Sequence, residues 1–305
     1  MTHTESEADA LTTARSFALC ILAYVAAGMI ALAVGFLMPG YHPISIVAAG
    51  DFAATLVVWL FSTFFRNSSF YDPYWSVAPI AIAAYWSECA DREAEPLRQV
   101  MALMIVLFWG MRLTYNWARR WQGLEHEDWR YADLRARFGS RFWMVDLSGI
   151  HLFPTVQVFL GCLPLYPALA TGTREIGVFD VVAVLVGLAA VAIETVADKQ
   201  LWRFLQNRQS GEFLKSGLWA YSRHPNYFGE ILVWWSIWLF GVAADPSWWW
   251  SGIGALSITL MFQFASVPMI DKRSIERRSG YADYMQTVSA IVPWLPRKGP
   301  EGLRQ

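Results

Sequence analysis

Long uninterrupted runs of apolar residues, separated by short polar segments, dominate the chain from residue 17 onward. We identify eight of them, at about 17–38, 44–65, 75–90, 97–118, 148–170, 176–196, 226–243 and 248–270. A helix rises about 1.5 Å per residue, so about 20 residues cross a bilayer core of about 30 Å. Most of the runs reach that length, whereas the third and the seventh are short. The pattern predicts an all-α, polytopic integral membrane helix bundle with 7–8 transmembrane helices.

The runs show no sign of a membrane-spanning sheet. A β-barrel needs segments of about ten residues that alternate between apolar and polar positions, and these runs do not alternate. We therefore expect a single membrane domain over residues 17–296, with polar tails at 1–16 and 297–305. The first tail is acidic and lacks the basic start that is typical of a signal peptide.

Composition agrees with a membrane protein. Hydrophobic residues make up 55% of the 305 residues and charged residues only 16%, against about 25% charged in a soluble domain. The net charge is −1, which gives no indication of nucleic-acid binding. Cys20, Cys89 and Cys162 fall in or beside apolar runs without CxxC or zinc spacing, so we expect buried thiols.

Lysine and arginine are distributed very unevenly between the two sides of the predicted bundle. With eight spans, the segments on the side of the N-terminus hold 20 of the 24 basic residues. The loops on the other side hold 3, namely Arg92, Arg98 and Arg174, and Arg112 lies within the fourth span. Basic loops mark the cytoplasmic side of a membrane protein. Both termini are therefore predicted to be cytoplasmic.

Polar and ionisable side chains recur at the inner ends of the spans, where they are costly and indicate function. Asp72 and Tyr74 open the third span. Arg112, Asn116 and Arg119 follow the spacing i, i+4, i+7 and so share one face of the fourth span. The other groups at this depth are Arg120, Glu194, Asp198, Gln200, Arg203, Arg223, His224, Asn226, Tyr227, Glu230, Asp271, Lys272, Glu276 and Tyr284.

Groups from five helices at one depth predict a pocket that opens to the cytosol. Snorkelling to the membrane surface explains a long side chain such as Arg119, but it does not explain short ones such as Asp72 or Asn226. Several arginines at one depth indicate a polyanionic ligand. NADPH fits this description, whereas S-adenosylmethionine, with one carboxylate, needs fewer arginines.

The segment 119–146 is basic and amphipathic, with Trp121, Trp129, Phe138 and Trp143 among its arginines. This pattern is typical of an interfacial helix or loop. A role in membrane anchoring and a role in ligand binding both remain open.

The chain contains no GxGxxG, P-loop, GxSxG or HExxH motif, and its five histidines lack metal spacing. A Rossmann domain, a serine hydrolase and a zinc enzyme are thus disfavoured.

One stretch carries a family resemblance. Residues 217–230, GLWAYSRHPNYFGE, closely resemble the C-terminal signature of the steroid 5-alpha-reductase superfamily, in particular its bacterial branch, the DUF1295 proteins. Matches to the same branch occur at DPYW (72–75), EDWRY (127–131), ADKQ (197–200) and 281–294, so the resemblance covers roughly residues 50–296. Sterol C14 and C7 reductases share an RHPNY form, and isoprenylcysteine carboxyl methyltransferases share an RHPxYxG form. The segment 217–230 is therefore specific to a superfamily but not to one reaction within it.

The resemblance implies a membrane enzyme that binds NADPH from the cytosol and reduces an activated C=C bond, such as an enone, in a lipophilic and possibly steroid-like substrate. It assigns Asn226, Tyr227 and Glu230 to the nicotinamide and ribose, and Arg112 and Arg120 to a basic surface that faces the cofactor. The remaining cofactor-binding residues that we expect are Asn116, Asp128, Arg130, Tyr131, Asp198, Arg203, Tyr221, Arg223 and His224. It also implies a bacterial inner-membrane location.

The chain departs from the animal steroid reductases at the substrate end. Those enzymes hold the 3-oxo group with a Gln-Glu pair and a tyrosine, but this chain has no Gln-Glu dipeptide and carries Phe108-Trp109-Gly110 before Arg112. We assign the catalytic acid and hydroxyl to Asp72 and Tyr74, although Asp72 before Pro73 also fits a helix N-cap. The alternatives to a reductase are an S-adenosylmethionine-dependent methyltransferase and a non-enzymatic lipid-binding protein.

Overall fold

The computed structural model describes residues 3–297 and the side chains of residues 12–297, and this part of the chain contains no strand. The predicted all-helical fold is confirmed. The helices are α1 (His3–Phe36), α2 (Pro43–Phe64), α3 (Tyr74–Glu88), α4 (Pro96–Arg120), α5 (Trp129–Phe138), α6 (Phe142–Val145), α7 (Phe153–Cys162), α8 (Val178–Asn207), α9 (Pro225–Ala244), α10 (Gly252–Met261), α11 (Val267–Arg277) and α12 (Tyr281–Thr287).

Seven helical stretches within the described residues are long and apolar enough to cross a membrane. Two of them join successive helices. A 3-10 turn at Gly139–Arg141 links α5 to α6, and π-helical turns link α6 to α7 and α10 to α11. These stretches are Thr12–Phe36, Pro43–Phe64, Pro96–Arg120, Trp129–Thr171, Val178–Asn207, Pro225–Ala244 and Pro246–Arg277.

The expected third span, α3, has 15 residues and is too short to belong to this group. It is short because the chain folds back into the bundle after α2. The turn Ser68–Tyr71 is buried, and the hydroxyl of Tyr74 reaches the carboxylate of Asp51 at 2.6 Å, about three turns inside α2. Non-helical backbone is tolerated at membrane depth only when protein covers it, and this segment meets that condition.

The predicted tails need two qualifications. The N-terminal tail, 1–16, is helical from His3 onward as part of α1 and is not separate from the first span. Of the C-terminal tail, 297–305, all but the first residue lies outside the described part of the chain.

We call the end of the bundle where α4 ends at Arg120 and α8 ends at Asn207 the basic end, and the opposite one the far end. At the far end, the fully buried Arg98 donates to both carboxylate oxygens of Asp180, at 2.7 and 2.9 Å. It also donates to the backbone carbonyls of Arg174 and Glu175. Arg98, expected as a loop charge, is thus a structural cation that ties α4 to α8.

Glycines bring α8 and α9 into close contact. A Cβ on Gly187 would lie 2.7 Å from Oγ of Ser236, and a Cβ on Gly229 would lie 2.4 Å from Cγ of Glu194. Small residues at a crossing allow the close packing that stabilises helix pairs in lipid. This contact holds the acidic residues of α8 against the first turns of α9.

Candidate functional site

A cavity of about 770 Å³ opens at the basic end. Its walls come from α3, α4, α5, α7, α8, α9, α10, α11 and α12, and from the turns between them. Twelve of the sixteen residues predicted for the site line it, namely Asp72, Asn116, Arg120, Asp128, Arg130, Tyr131, Asp198, Arg223, His224, Asn226, Tyr227 and Glu230. The structure therefore brings most of the predicted residues together in one space.

The other four residues lie elsewhere. The hydroxyl of Tyr74 is directed to Asp51, to whose carboxylate and backbone carbonyl it donates at 2.6 and 3.0 Å. Arg112 lies behind the cavity wall, and Arg203 and Tyr221 are exposed outside the cavity. The expectation that Tyr74 approaches a substrate is not supported, because the fold-back of the chain after α2 turns this side chain toward α2. The partner, Asp51, is 23 residues away in sequence and is identified only by the tertiary structure.

One wall of the cavity carries an acidic pair on α8. Glu194 and Asp198 are one turn apart and share a face, and Arg112 forms ion pairs with both, at 2.8 Å to Asp198. Asn116 also donates to Asp198 at 2.8 Å, and Arg119 donates to Asn116 at 3.0 Å, as expected for residues on one face of α4. Within the described residues, one oxygen of each carboxylate has no hydrogen-bond partner. Both oxygens are buried, so each is an unsatisfied acceptor in the wall of the cavity.

Glu230 lies deeper, surrounded by indole rings. Its carboxylate accepts hydrogen bonds from the indole N–H groups of Trp75 at 2.7 Å, Trp109 at 2.9 Å and Trp234 at 3.0 Å. Neutral donors from three helices thus compensate a buried charge, which would otherwise be very costly. Sequence reasoning did not identify the tryptophans as partners, because nothing in their spacing distinguishes them from core residues.

Asp72 faces the cavity from the start of α3. Its carboxylate accepts a hydrogen bond from the hydroxyl of Tyr131 at 2.7 Å. Burial raises the pKa of Asp72 to about 6, although Arg130 and the Tyr131 hydroxyl act in the opposite direction. The alternative that Asp72 caps α3 is wrong, because Pro73 occupies the N-cap position and no side chain caps the helix.

Arg223 and His224 hold the fold together at the cavity edge. The carboxylate of Asp271 accepts from Arg223 at 2.8 Å and from the Tyr281 hydroxyl at 2.8 Å, and it lies 2.9 Å from Nε2 of His224. Arg223 also donates to the carbonyl of Val288 at 2.6 Å. These bonds bind the start of α9 to α11 and to the chain after α12, so Arg223 is not a free cation.

Unpaired arginines lie at the mouth of the cavity. Arg120, Arg208 and Arg278 line it, and among the described residues none of the three takes part in an ion pair. Burial lowers the pKa of Arg278, and the neighbouring guanidinium groups of Arg208 and Arg277 lower it further. Crowded cations of this kind favour a bound polyanion, because an anion relieves their mutual repulsion. Arg208 and Arg278 were not predicted from the sequence.

The deepest part of the cavity is aromatic. The rings of Tyr227 and Phe262 stack with centroids 4.6 Å apart, and His224 stacks on the other side of Tyr227 at 5.5 Å. Trp75 packs against Phe262 at 6.4 Å. Such surroundings suit a flat ring or an apolar chain.

The basic segment 119–146 contributes both to the surface and to the cavity. Helix α5 has no buried residue, and Trp143 is 53% exposed, which agrees with an interfacial position. The guanidinium of Arg273, on α11, lies 3.8 Å from the ring centroid of Trp129 and so links α5 to the other side of the mouth. Asp128 and Tyr131 line the cavity from the same segment.

These features define a helical membrane protein with one large charged cavity at its basic end. A family model described as "Protein of unknown function (DUF1295)" matches residues 58–288, and the chain belongs to this family. An uncharacterized protein of the fission yeast Schizosaccharomyces pombe is 28% identical over 267 residues, which cover 78% of this chain and 76% of that protein. No solved structure matches the chain.

Proposed function

We propose that this protein is an NADPH-dependent membrane reductase that reduces an activated C=C bond in a lipophilic substrate, as its resemblance to the steroid 5-alpha-reductase superfamily implies. The observation that carries the proposal is the order of the chemical groups along the cavity. Unpaired arginines lie at the mouth, free carboxylate oxygens follow on α8, and aromatic rings form the deep end. A dinucleotide has the same order of groups, from phosphates through ribose to the nicotinamide ring.

The phosphate groups of NADPH are the part that the mouth fits best. Arg208 and Arg278 are positioned to bind the 2′-phosphate or the diphosphate, since guanidinium groups form bidentate, charge-assisted bonds with phosphate oxygens. Arg120, which lines the same cavity, adds a third cation. Arg130 contributes less charge, because both oxygens of Asp128 already bind it.

The uncharged groups of the cofactor fit the inner wall. The free oxygens of Glu194 and Asp198 accept hydrogen bonds, which ribose hydroxyl groups donate. Tyr227 and Asn226 lie at the start of α9, where a nicotinamide ring can lie against the edge of the phenol and its carboxamide can bind the side-chain amide of Asn226. Bound in this way, NADPH supplies a hydride at the aromatic end of the cavity.

Asp72 is the proposed acid. With its pKa raised to about 6, its carboxyl group is protonated in part of the molecules near neutral pH and donates a hydrogen bond to the substrate carbonyl. Tyr131 fixes the orientation of this carboxyl group. Stabilising charge that develops on the carbonyl oxygen is the contribution that these residues make to the reaction.

Methyl transfer from S-adenosylmethionine is the second candidate. The acidic pair on α8 favours it, because a ribose and a cationic sulfonium both suit carboxylate oxygens. It leaves the arginines at the mouth without a ligand of matching charge, which is the reason that we place it second.

A titration separates the two. Purified protein in detergent is titrated with NADPH, NADH and S-adenosylmethionine, with nicotinamide fluorescence and calorimetry as readouts. We expect NADPH to bind more tightly than NADH and S-adenosylmethionine to bind weakly or not at all. Tight binding of S-adenosylmethionine without NADPH binding would overturn the reductase proposal.

A further inference from the structure

The crossing of α7 and α10 marks a closed point in the wall of the bundle. A Cβ on Gly254 would lie 2.3 Å from the carbonyl oxygen of Leu160, so the two helices touch at backbone distance. Gln157 also donates to the carbonyl of Ser257 at 3.2 Å. This contact closes the space between α7 and α10 on the side of the far end.

Toward the basic end, the chain before α7 and the chain after α10 share two features, a π-helical turn and a proline that follows it. The turn before α7, Asp146–Leu152, and the turn before α11, Phe262–Ser266, are both π-helical. In each case a proline, Pro154 or Pro268, is the second residue of the helix that follows. Proline removes a backbone donor, and π-turns re-aim a helix, so each segment can bend away from the regular helix axis.

Both segments contribute to the lining of the cavity. Ile150 and Pro154 line it from one segment, and Phe262 and Ser266 line it from the other. Lipid-facing side chains follow within one or two residues of the lining ones. Phe153 is 52% exposed and Phe264 is 73% exposed. Residues that line the cavity and residues that face outward thus alternate within the same turns, and the lining residues named here are apolar apart from Ser266.

We propose that this wedge, bounded by Ile150 and Pro154 on one side and by Phe262 and Ser266 on the other, is a lateral portal through which an apolar substrate enters from the bilayer. The inference deepens the proposed function. The arginine-lined mouth disfavours an apolar molecule, and a bound dinucleotide would fill it. A molecule with a long apolar body and one carbonyl group enters the wedge carbonyl first and reaches Asp72, while its body stays between the π-turns or in lipid.

The first test narrows the portal with a large side chain. In the variant Ser266→Trp the indole fills the wedge, whereas Ala265→Trp adds the same group at an exposed neighbouring position that does not line the cavity. The probe is a long-chain alkyl enone that carries a diazirine, supplied in phosphatidylcholine liposomes. Photolabelling of the cavity segments 72–76 and 226–230 is followed over time by mass spectrometry.

We expect labelling of these segments to be slower in Ser266→Trp by about tenfold or more, which corresponds to about 1.4 kcal/mol in the barrier, and unchanged in Ala265→Trp. Labelling at the wild-type rate in Ser266→Trp would show that the probe enters by the aqueous mouth and would overturn the proposal. Equal slowing in both variants would also overturn it, because an effect on the lipid-facing surface is not a portal.

A double-cysteine variant, tested with and without a cross-linker, guards against misfolding. In Ile150→Cys/Ser266→Cys, treatment of the folded, reconstituted protein with a bis-maleimide is expected to slow labelling, while the untreated protein labels as wild type. Labelling requires neither NADPH nor turnover. If the wild type fails to bind NADPH but the portal variants behave as expected, the reductase proposal fails and the portal stands. If NADPH binds and the portal variants label normally, only the portal is overturned.

Discussion

The hydroxyl of Tyr131 donates a hydrogen bond to the carboxylate of Asp72 at 2.7 Å, across 59 residues of sequence. This bond joins the start of α5, at the surface, to the start of α3, inside the bundle. Asp72 and Arg130 both line the cavity, and the charge of Arg130 acts to lower the pKa of Asp72. Asp72 is thus oriented by a partner and is not simply a helix end.

Asp72→Asn tests the role of this carboxyl group. The amide keeps the shape but cannot donate an acidic proton, so NADPH should bind as before while turnover of an enone substrate falls by about 10²–10⁴. Because burial raises the pKa of Asp72 to about 6, from about 3.9 in a model peptide, the protonated form is lost as the pH rises through 6. Wild-type turnover should therefore decline above pH 6.

The pH profile of Asp72→Asn is a control, since its residual turnover should not decline above pH 6. Tyr131→Phe, which removes only the orienting bond, is expected to reduce turnover less. Full activity in Asp72→Asn would exclude Asp72 as the acid.

Arg278→Ala tests the phosphate site. Loss of one charge-assisted contact costs about 1.5–3 kcal/mol, or about 10- to 150-fold in affinity for NADPH. If Arg278 binds the 2′-phosphate, affinity for NADH changes little. Arg203→Ala serves as the matched control, because this arginine is exposed outside the cavity. An equal loss in both variants would indicate a general effect of charge.

Glu230→Gln tests the indole cluster. The glutamine amide brings two donors into a site that already holds three indole N–H donors, so at least one buried donor loses its acceptor. An unsatisfied buried donor costs about 1–3 kcal/mol, and the midpoint of thermal unfolding in detergent should fall. Trp238→Phe, which removes an indole N–H bond at a more exposed position, should change the midpoint little. A midpoint unchanged by Glu230→Gln would contradict the structural role.

Asp180→Asn tests the ion pair at the far end. It leaves the guanidinium of the fully buried Arg98 with carbonyl partners but no counter-charge. Breaking a buried pair in this way costs about 3–5 kcal/mol, which should appear as reduced thermal stability with NADPH affinity preserved. Glu93→Gln, at an exposed position of the same end, is the control. Similar midpoints for the two variants would argue against the pair.

The orientation of the bundle is a separate prediction. The excess of lysine and arginine at the basic end predicts that the cavity mouth lies in the cytoplasm. A reporter fused after Gln305 that is active only in the cytosol should be active, and one that needs export should not. The opposite result would move the cavity mouth to the other side of the membrane.

The sequence by itself determined the fold class, the approximate positions of the spans and twelve of the residues around the cavity. This was possible because the length of an apolar run is a local property, and because Asn116, Asp198 and Glu230 are polar groups at similar depths in apolar helices. The resemblance contributed Asp128, Arg130 and Tyr131, which no periodicity indicates.

Only the tertiary structure decided which groups are partners. The fold-back after α2 turns Tyr74 toward Asp51 and gives Asp72 its bond to Tyr131. Close packing at Gly229 sets the acidic pair of α8 beside Glu230, and three separate helices supply the indole donors. Such pairings depend on distances between segments that are far apart in the chain. Hydropathy reports how deep a residue lies in the membrane, but it does not report the direction in which the side chain points.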